Sequence, residues 1–415
     1  MANKYRCYPK NKEMESAISS YCGQRRYLWN LLVEQFNYWH PGCKPPTNKE
    51  LFKQLTQLRK GTFFSEGDSA MQQQVIQDFI KAKIAFFKGE KGRPQFKKKG
   101  ANDGFRIRDV KVKKINKKWS AIYVPKVGWL KFIRSRELPK DYGMATIKKD
   151  KINHWYVSFT APQPEIVHVP TLKFIGIDRG VATTLVTSDG VFLRIPTMSQ
   201  RDQQRLLVLE QERERQHIAR RKAKGVDKAI YSKKLDDTNL KIAKIWARYT
   251  RRRNDWIEKQ TTKLVKKNDI IALERLNTKG MTKAPKPKLA EDGVTYLPNG
   301  AAAKAGLNKV ILQSCWGQIE KRLIDKAGAA GVKIIFVNPR FTSQECRKCH
   351  HTHEDNRKSQ TEFQCVNCNH KNHADRNAAH NILARGLSEL GIVAPAGGHS
   401  AYVPARETPI GKRAA

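Results

Sequence analysis

Apolar residues near the start of the chain fall first at strand spacing and then at helix spacing. Residues 3–9, NKYRCYP, alternate weakly and predict a short strand closed by Pro9. Tyr21, Leu28, Leu31, Leu32, Phe36 and Trp39 then recur at intervals of three, four and seven, which predicts one face of a helix. PGCKPPTNK interrupts the pattern, because its prolines and glycine do not continue a helix. ELFKQLTQLRK and SAMQQQVIQDFIKAKIAFFKG predict two further helices, so residues 11–90 read as a small helical bundle. An aromatic stripe of this kind is more often core than a base-stacking surface.

The period then changes. After the cation-rich KGEKGRPQFKKKG come FRIRDVKVKK, WSAIYVPKVGWLKFI, ATIKKD and HWYVSFTAP, which are short, β-branched and aromatic, with turn residues between them. Residues 105–160 are therefore predicted all-β, with basic outward faces. PQPEIVHVPT is a Pro-punctuated linker. Beyond residue 172, LKFIGID is an apolar run ending in an acid, RG is a turn, and VATTLVTSDG predicts another strand. Residues 200–267 predict a long polar helical stretch, and DIIALERLN and GVKIIFVNP predict buried strands. Residues 278–305 read as loop, followed by one helix around VILQSCWGQIEKRLIDKAG. ADRNAAHNILARGLSEL predicts a last helix, and the Gly-, Pro- and Ala-rich residues 392–415 a disordered tail.

Charge changes the picture. The 415 residues hold 80 Lys and Arg against 38 Asp and Glu, a formal net charge of +42. A cation of this size predicts a polyanionic partner, and cytosolic polyanions are mostly nucleic acid. A membrane surface fits less well, since neither a dominant basic amphipathic helix nor a lipidation motif is present, and no apolar run reaches the length of a span. The expected location is the cytosol, in association with the nucleic acid that such a charge would bind. Residues 201–267 carry 21 Lys and Arg against 9 acids, with Trp246, Tyr249 and Trp256 beside Arg251, Arg252 and Arg253. Many charged helices are merely solvated, but aromatics among the cations suit a surface that tracks a nucleic-acid backbone. Lys97, Lys98 and Lys99 form a second candidate contact.

Three acids stand in apolar settings. Asp178 ends FIGID, Glu274 lies inside IIALERL, and Asp375 opens the last helix. Singly, each is more often a salt-bridged or solvated carboxylate. Together, in so basic a chain, they suggest ligands for Mg²⁺, a hard cation that takes oxygen donors. Two such ions, or Mn²⁺ in their place, can drive phosphodiester hydrolysis. Cys346, Cys349, Cys365 and Cys368 form two Cys-x-x-Cys pairs separated by fifteen residues, a strong structural zinc pattern. Four thiolates leave no open coordination position, so this zinc is read as structural. His350, His351, His353, His370 and His373 lie nearby, but a complete set of thiolates makes most of them surface residues. Cys7, Cys22, Cys43 and Cys315 are scattered and read as free thiols.

GIDRGVATTLVTSDG, IALERLN and HADRNAAHNI resemble the three split motifs of a RuvC nuclease domain, which has an RNase H-like fold. NPRFTSQECRKC followed by CVNC resembles the zinc ribbon inserted in TnpB proteins of insertion sequences, and YRCYPKNKEMESAISSYCGQRRYLWN resembles that family's opening. The resemblance implies an RNA-guided DNA endonuclease, in which a guide RNA from the transposon end pairs with one strand of double-stranded target DNA next to a short flanking motif. It implies an α+β multidomain fold: a β-barrel wedge domain of residues 1–10 and 100–165, with a helical recognition domain, 11–99, inserted in it. A split RuvC domain of 171–340 and 375–391 would follow, with a target-nucleic-acid-binding zinc ribbon, 341–374, inserted. Asp178, Glu274 and Asp375 map to the family's catalytic acids, and one protein copy per guide RNA is expected. A miniature type V CRISPR effector shares this architecture. An inert guided repressor would be expected to have lost an acid, and a transposase performing strand transfer fits the split order and inserted ribbon less well. One departure stands out. The family's knuckles usually place Gly after Cys-x-x-Cys, where the backbone takes positive φ; this chain has His350 and Asn369 there.

Overall fold

A computed structural model describes residues 3–392 apart from 39, 41, 44, 45, 101, 102, 140, 162–165 and 292. The expected tail beyond residue 392, and Trp39, thus lie outside the described residues. The chain divides into two compact units, the first of residues up to 163 together with 209–244, and the second of 164–208 together with those from 245 onward, so the long helices after residue 200 are shared between them. No helix among the described residues is long and apolar enough to cross a membrane.

The first unit opens with β1 (Asn3–Tyr8) and three helices, α1 (Lys12–Asn37), α2 (Asn48–Arg59) and α3 (Ser69–Phe87). Each helix start has its own cap. Asn11 accepts from the Met14 amide, Thr47 and Glu50 form a reciprocal box, and Asp68 accepts from Ala70 and Met71. The stripe read from the sequence is core: Tyr21, Leu28, Leu32 and Phe36 are buried. Strands β2 (Gly104–Ile107), β3 (Val112–Lys114), β4 (Trp119–Val124), β5 (Gly128–Ile133), β6 (Ala145–Lys149) and β7 (Trp155–Phe159) join β1 in one antiparallel sheet of order β2-β6-β7-β1-β5-β4-β3. The first strand of the chain is thus central, hydrogen-bonded to β7 and β5. The edge strands β2 and β3 do not pair with each other among the described residues, so the expected barrel is a sheet that hydrogen bonds do not close. Alternation buries Tyr5, Phe105, Phe132 and Phe159 on one face. Cations cover aromatics on the other: Lys4 lies over Tyr156, Arg6 over Tyr8 and Lys113 over Trp129.

The second unit is built on a five-stranded sheet of β8 (Phe174–Asp178), β9 (Leu185–Thr187), β10 (Phe192–Leu193), β11 (Ile270–Glu274) and β14 (Lys333–Val337), in the order β10-β9-β8-β11-β14. β8, β11 and β14 are parallel, while β9 runs antiparallel to both of its neighbours, β8 and β10. The long connection between β10 and β11 is two helices, α4 (Gln200–Lys222) and α5 (Gly225–Lys267), where the sequence predicted one stretch. After β11 come a short helix α6 (Thr278–Met281), a hairpin of β12 (Lys288–Leu289) and β13 (Tyr296–Leu297), and helices α7 (Ala301–Gln313) and α8 (Trp316–Ala330). The single helix expected around VILQSCWGQIEKR is therefore broken, because Cys315 takes a left-handed conformation with φ +55°. A small hairpin, β15 (Glu362–Gln364) with β16 (Lys371–His373), leads into α9 (Ala374–Ser388).

The parallel strands are covered on both faces, which is why they read as nearly continuous apolar runs. Ile175, Ile177, Ile271 and Leu273 pack with Ile257 and Leu264 of α5 and Ile319 and Leu323 of α8. The alternate residues Ile270, Ala272, Ile335 and Val337 pack with Ile382 and Leu387 of α9. Period two therefore assigns Asp178 and Glu274 to the α9 face.

Candidate functional site

Ile177 of β8 is in register with Leu273 of β11. Asp178 and Glu274 come one residue later, at the carboxyl ends of adjacent parallel strands, where strand spacing is about 4.8 Å. Asp375 lies in the first turn of α9, which crosses the same face. That helix approaches closely because Gly176 has no side chain: a Cβ there would lie 2.1 Å from the Ala379 carbonyl oxygen. The sequence-predicted acids thus come from three separate segments to one end of one sheet.

Their electrostatics agree. Burial first, then Glu274, then Asp375 push the Asp178 carboxyl up to about 7, against the Arg357 guanidinium and the Arg179 amide. Burial also raises Glu274, opposed by the Thr342 hydroxyl and by Arg179 and Arg385. Glu274 is held at both ends. Thr342 Oγ1 donates to its Oε1 at 2.5 Å, and Arg179 Nη2 donates to its backbone carbonyl. Arg179 is itself buried and pairs through Nη1 with Glu320 Oε2 at 2.5 Å, joining β8, β11 and α8. Arg357 Nη2 meets Asp375 Oδ1 at 3.0 Å. The three carboxylates are oxygen donors of the type a divalent cation takes, but among the described residues only the four cysteines are already gathered closely enough to hold an ion, and Asp375 Oδ1 is engaged by Arg357.

The four cysteines converge as the spacing predicts. Their Sγ atoms all lie within 4.8 Å of one another, with Cys346–Cys368 at 3.7 Å and Cys349–Cys365 at 3.5 Å. A tetrahedral Zn–S distance of about 2.3 Å implies sulfur separations of about 3.8 Å, so the set fits zinc. The two knuckles are built alike. His350 N donates to Cys346 O at 2.8 Å and Asn369 N to Cys365 O at 3.0 Å, and both residues have positive φ, +57° and +55°. These are the positions where glycine was missed from the sequence. Asn356 ties the knuckles together, donating to Gln344 O and His351 O and accepting from Val366 N. His373 caps α9, its Nδ1 accepting from Asp375 N at 3.2 Å.

The proposed nucleic-acid contacts divide. Lys98, Lys99, Arg251 and Arg252 are exposed. Arg253 is a correction: it is 9% exposed, lies over the Tyr249 ring, and donates to Gln313 O and Cys315 Sγ. It secures the α7–α8 break from within and presents no cation to solvent. Lys97 also departs from a free surface cation. Half-buried, its Nζ sits 3.3 Å from the Trp29 ring centroid, and burial, then Arg25, lower it to about 8. Arg179, Thr342 and Arg357 were not singled out from sequence, although Arg179 and Thr342 stand within quoted motifs and Arg357 lies between the two Cys-x-x-Cys pairs.

In comparison with known proteins, two stretches of this sequence match family models. Residues 158–284, spanning Asp178 and Glu274, match the model described as "Probable transposase". Residues 316–382, spanning α8, the cysteines and Asp375, match "Cas12f1-like, TNB domain". A protein of Escherichia coli (strain K12) named "Putative RNA-guided DNA endonuclease InsQ" is 28% identical over 395 residues, covering 94% of this chain and 93% of its own. A "Putative RNA-guided DNA endonuclease" of Streptomyces pristinaespiralis is 26% identical over 397 residues, covering 93% and 89%. Among solved structures, a Cas12f1–sgRNA–target DNA complex is 15% identical with a TM-score of 0.46, covering 90% of this chain and 83% of its own. The resemblance to TnpB proteins read from the motifs is borne out.

Proposed function

We propose that this chain is an RNA-guided DNA endonuclease of the insertion-sequence type, cutting target DNA by divalent-metal-dependent phosphodiester hydrolysis. The observation that carries the reading is the convergence of Asp178, Glu274 and Asp375 on one end of one sheet, in a chain of net charge +42. The strand order, with one antiparallel excursion beside three parallel strands, supports an RNase H-like nuclease core. Relatives named as RNA-guided DNA endonucleases that align over nearly their full length support the guided activity.

The three acids would hold Mg²⁺ or Mn²⁺, which supplies charge neutralisation at the phosphate and activation of water. Asp178 can exchange a proton near neutrality, Thr342 orients Glu274, and Arg357 sets Asp375 while bringing a cation to the same end of the sheet. The cysteines would hold one structural zinc. Exposed cations such as Arg252, Lys98 and Lys99 would hold phosphate backbones, leaving sequence to base pairing with a guide RNA.

The test is purification of the full chain with its RNA from cells. One dominant structured RNA should co-purify, and the complex should cut DNA matching that guide. Asp178→Ala, Glu274→Ala and Asp375→Ala should each reduce cutting to background and leave guide-dependent DNA binding intact, because none removes a cation. No enriched RNA, or near wild-type cutting by any of the three variants, would refute the assignment.

A further inference from the structure

The segment between β14 and the first zinc ligand makes contacts that chain connection does not require. Thr342 is 3% exposed, and its hydroxyl reaches Glu274 Oε1 at 2.5 Å. Pro339 O is the other acceptor in range, at 3.1 Å, and the shorter bond to the carboxylate takes the single hydroxyl proton. The Thr342 backbone is fixed in turn from α9. Asn381 Nδ2 donates to Thr342 O at 2.9 Å and to Glu345 O at 2.7 Å. Asn377 Nδ2 donates to Glu345 O at 2.7 Å, and its Oδ1 accepts from Arg347 N at 3.2 Å. Both asparagines are buried, at 0% and 2% exposure. Moving residues 342–345 would leave buried amides unpaired, at about 1–3 kcal/mol for each. The neck is thus a strut, gripped by the helix that carries Asp375 and gripping the carboxylate of Glu274.

We propose that Thr342 is a positioning residue for the divalent-cation site, its hydroxyl fixing the rotation of the Glu274 carboxylate while Asn377 and Asn381 hold the neck in place. The inference rests on the nuclease reading and deepens it. The terminal torsion of a glutamate is broad, with no staggered well to choose an orientation. A hydroxyl donating to one oxygen makes that choice and leaves the other oxygen for the cation. The strut also explains why the ribbon is inserted at this point in the chain: its first residues brace the second acid, and its exit delivers the third.

The test compares Thr342→Val, which keeps the shape and loses the hydroxyl, with Thr342→Ser, which keeps the hydroxyl. Both are made in the full chain loaded with its co-purifying RNA. Mn²⁺ binding without target DNA is counted by electron paramagnetic resonance, with the Glu274→Ala complex as blank. Partners of this kind cost roughly 10- to 100-fold in metal affinity or activity when removed. Thr342→Val should therefore bind Mn²⁺ about that much more weakly and cut in proportion, with unchanged zinc content and DNA binding. Thr342→Ser should restore both. Wild-type Mn²⁺ binding and cutting in Thr342→Val would overturn the proposal, as would equal impairment of the two variants. Zinc loss confined to Thr342→Val would also overturn it, making the hydroxyl a folding determinant of the ribbon. If wild type and Glu274→Ala bind Mn²⁺ alike, the acid site itself is misassigned and the proposal falls with it.

Discussion

Asp178 stands where burial and two neighbouring acids push the same way, to about 7 from an ordinary 3.8. The folded state therefore keeps a proton that the unfolded chain has released. The stability this supplies is complete below about pH 4 and is lost as pH rises through about 7. A divalent cation competes for the same oxygens, so its stabilising effect should grow as that proton leaves. Without divalent ions the melting temperature of wild type, relative to Asp178→Asn, should fall between pH 5 and pH 8. Added Mn²⁺ should raise it more at pH 8 than at pH 5.5. Differential scanning fluorimetry of the two proteins checks this, and an equal Mn²⁺ shift at both pH values would show that Asp178 holds no proton in that range. The acids themselves were legible as charges inside apolar runs. Their supports were not. Thr342 and Arg179 are ordinary residues in sequence, and only the fold brings a hydroxyl from beyond β14 and a guanidinium from just beyond β8 onto one glutamate.

At the scale of elements, α9 and the ribbon decide where Asp375 sits. The helix lies against β8 through Gly176, and Gly386 likewise admits Ala272, whose Cβ would be 2.8 Å from an added one. Gly176→Ala forces the helix outward or shifts the strand, and overpacking of this kind costs about 1–3 kcal/mol. A displacement of about 1 Å at Asp375 can cost roughly a hundredfold in rate. Gly176→Ala should thus lower both melting temperature and cutting. Gly328→Ala, on the exposed side of α8 with nothing within 4 Å, should be neutral or stabilising. Cys365→Ser should reduce zinc from one per chain and reduce cutting far more than guide or target binding; a zinc-free protein with normal cutting would show that the ribbon does not position α9. Strands and most helices were readable because each lies between one wet and one dry surface, or between two dry ones. The α7–α8 break was not, since LQSCWGQ contains no obvious stop; a positive φ at Cys315 is fixed by tertiary contact with Arg253. The burial of Arg253 did leave a trace. Tyr249, Arg253, Ile257, Thr261 and Leu264 follow one helical stripe, and all five are buried. Composition drew attention to three adjacent arginines, whereas periodicity singles out the third as facing inward.

For the whole molecule the governing quantity is charge. A surplus of 42 cations cannot be balanced by the protein's own acids, so association with nucleic acid should be driven largely by release of condensed counterions. Each lysine or arginine that neutralises a phosphate contributes about one to the slope of log affinity against log salt. Lys98, Lys99 and Arg252 are exposed and should each behave this way when changed to alanine. Binding should weaken for matched and unmatched DNA alike, because backbone contacts carry no sequence information. Arg253→Ala should act through another route. It removes the donor from Gln313 O and Cys315 Sγ, and an unpaired buried acceptor costs about 1–3 kcal/mol, so the melting temperature should fall while the salt slope stays that of wild type. Fluorescence anisotropy of guide-loaded complexes across a potassium chloride series, with a melting curve for each variant, separates the two classes. A slope lost in Arg253→Ala and retained in Arg252→Ala would reverse the assignment and turn the buried face of α5 into the contact surface.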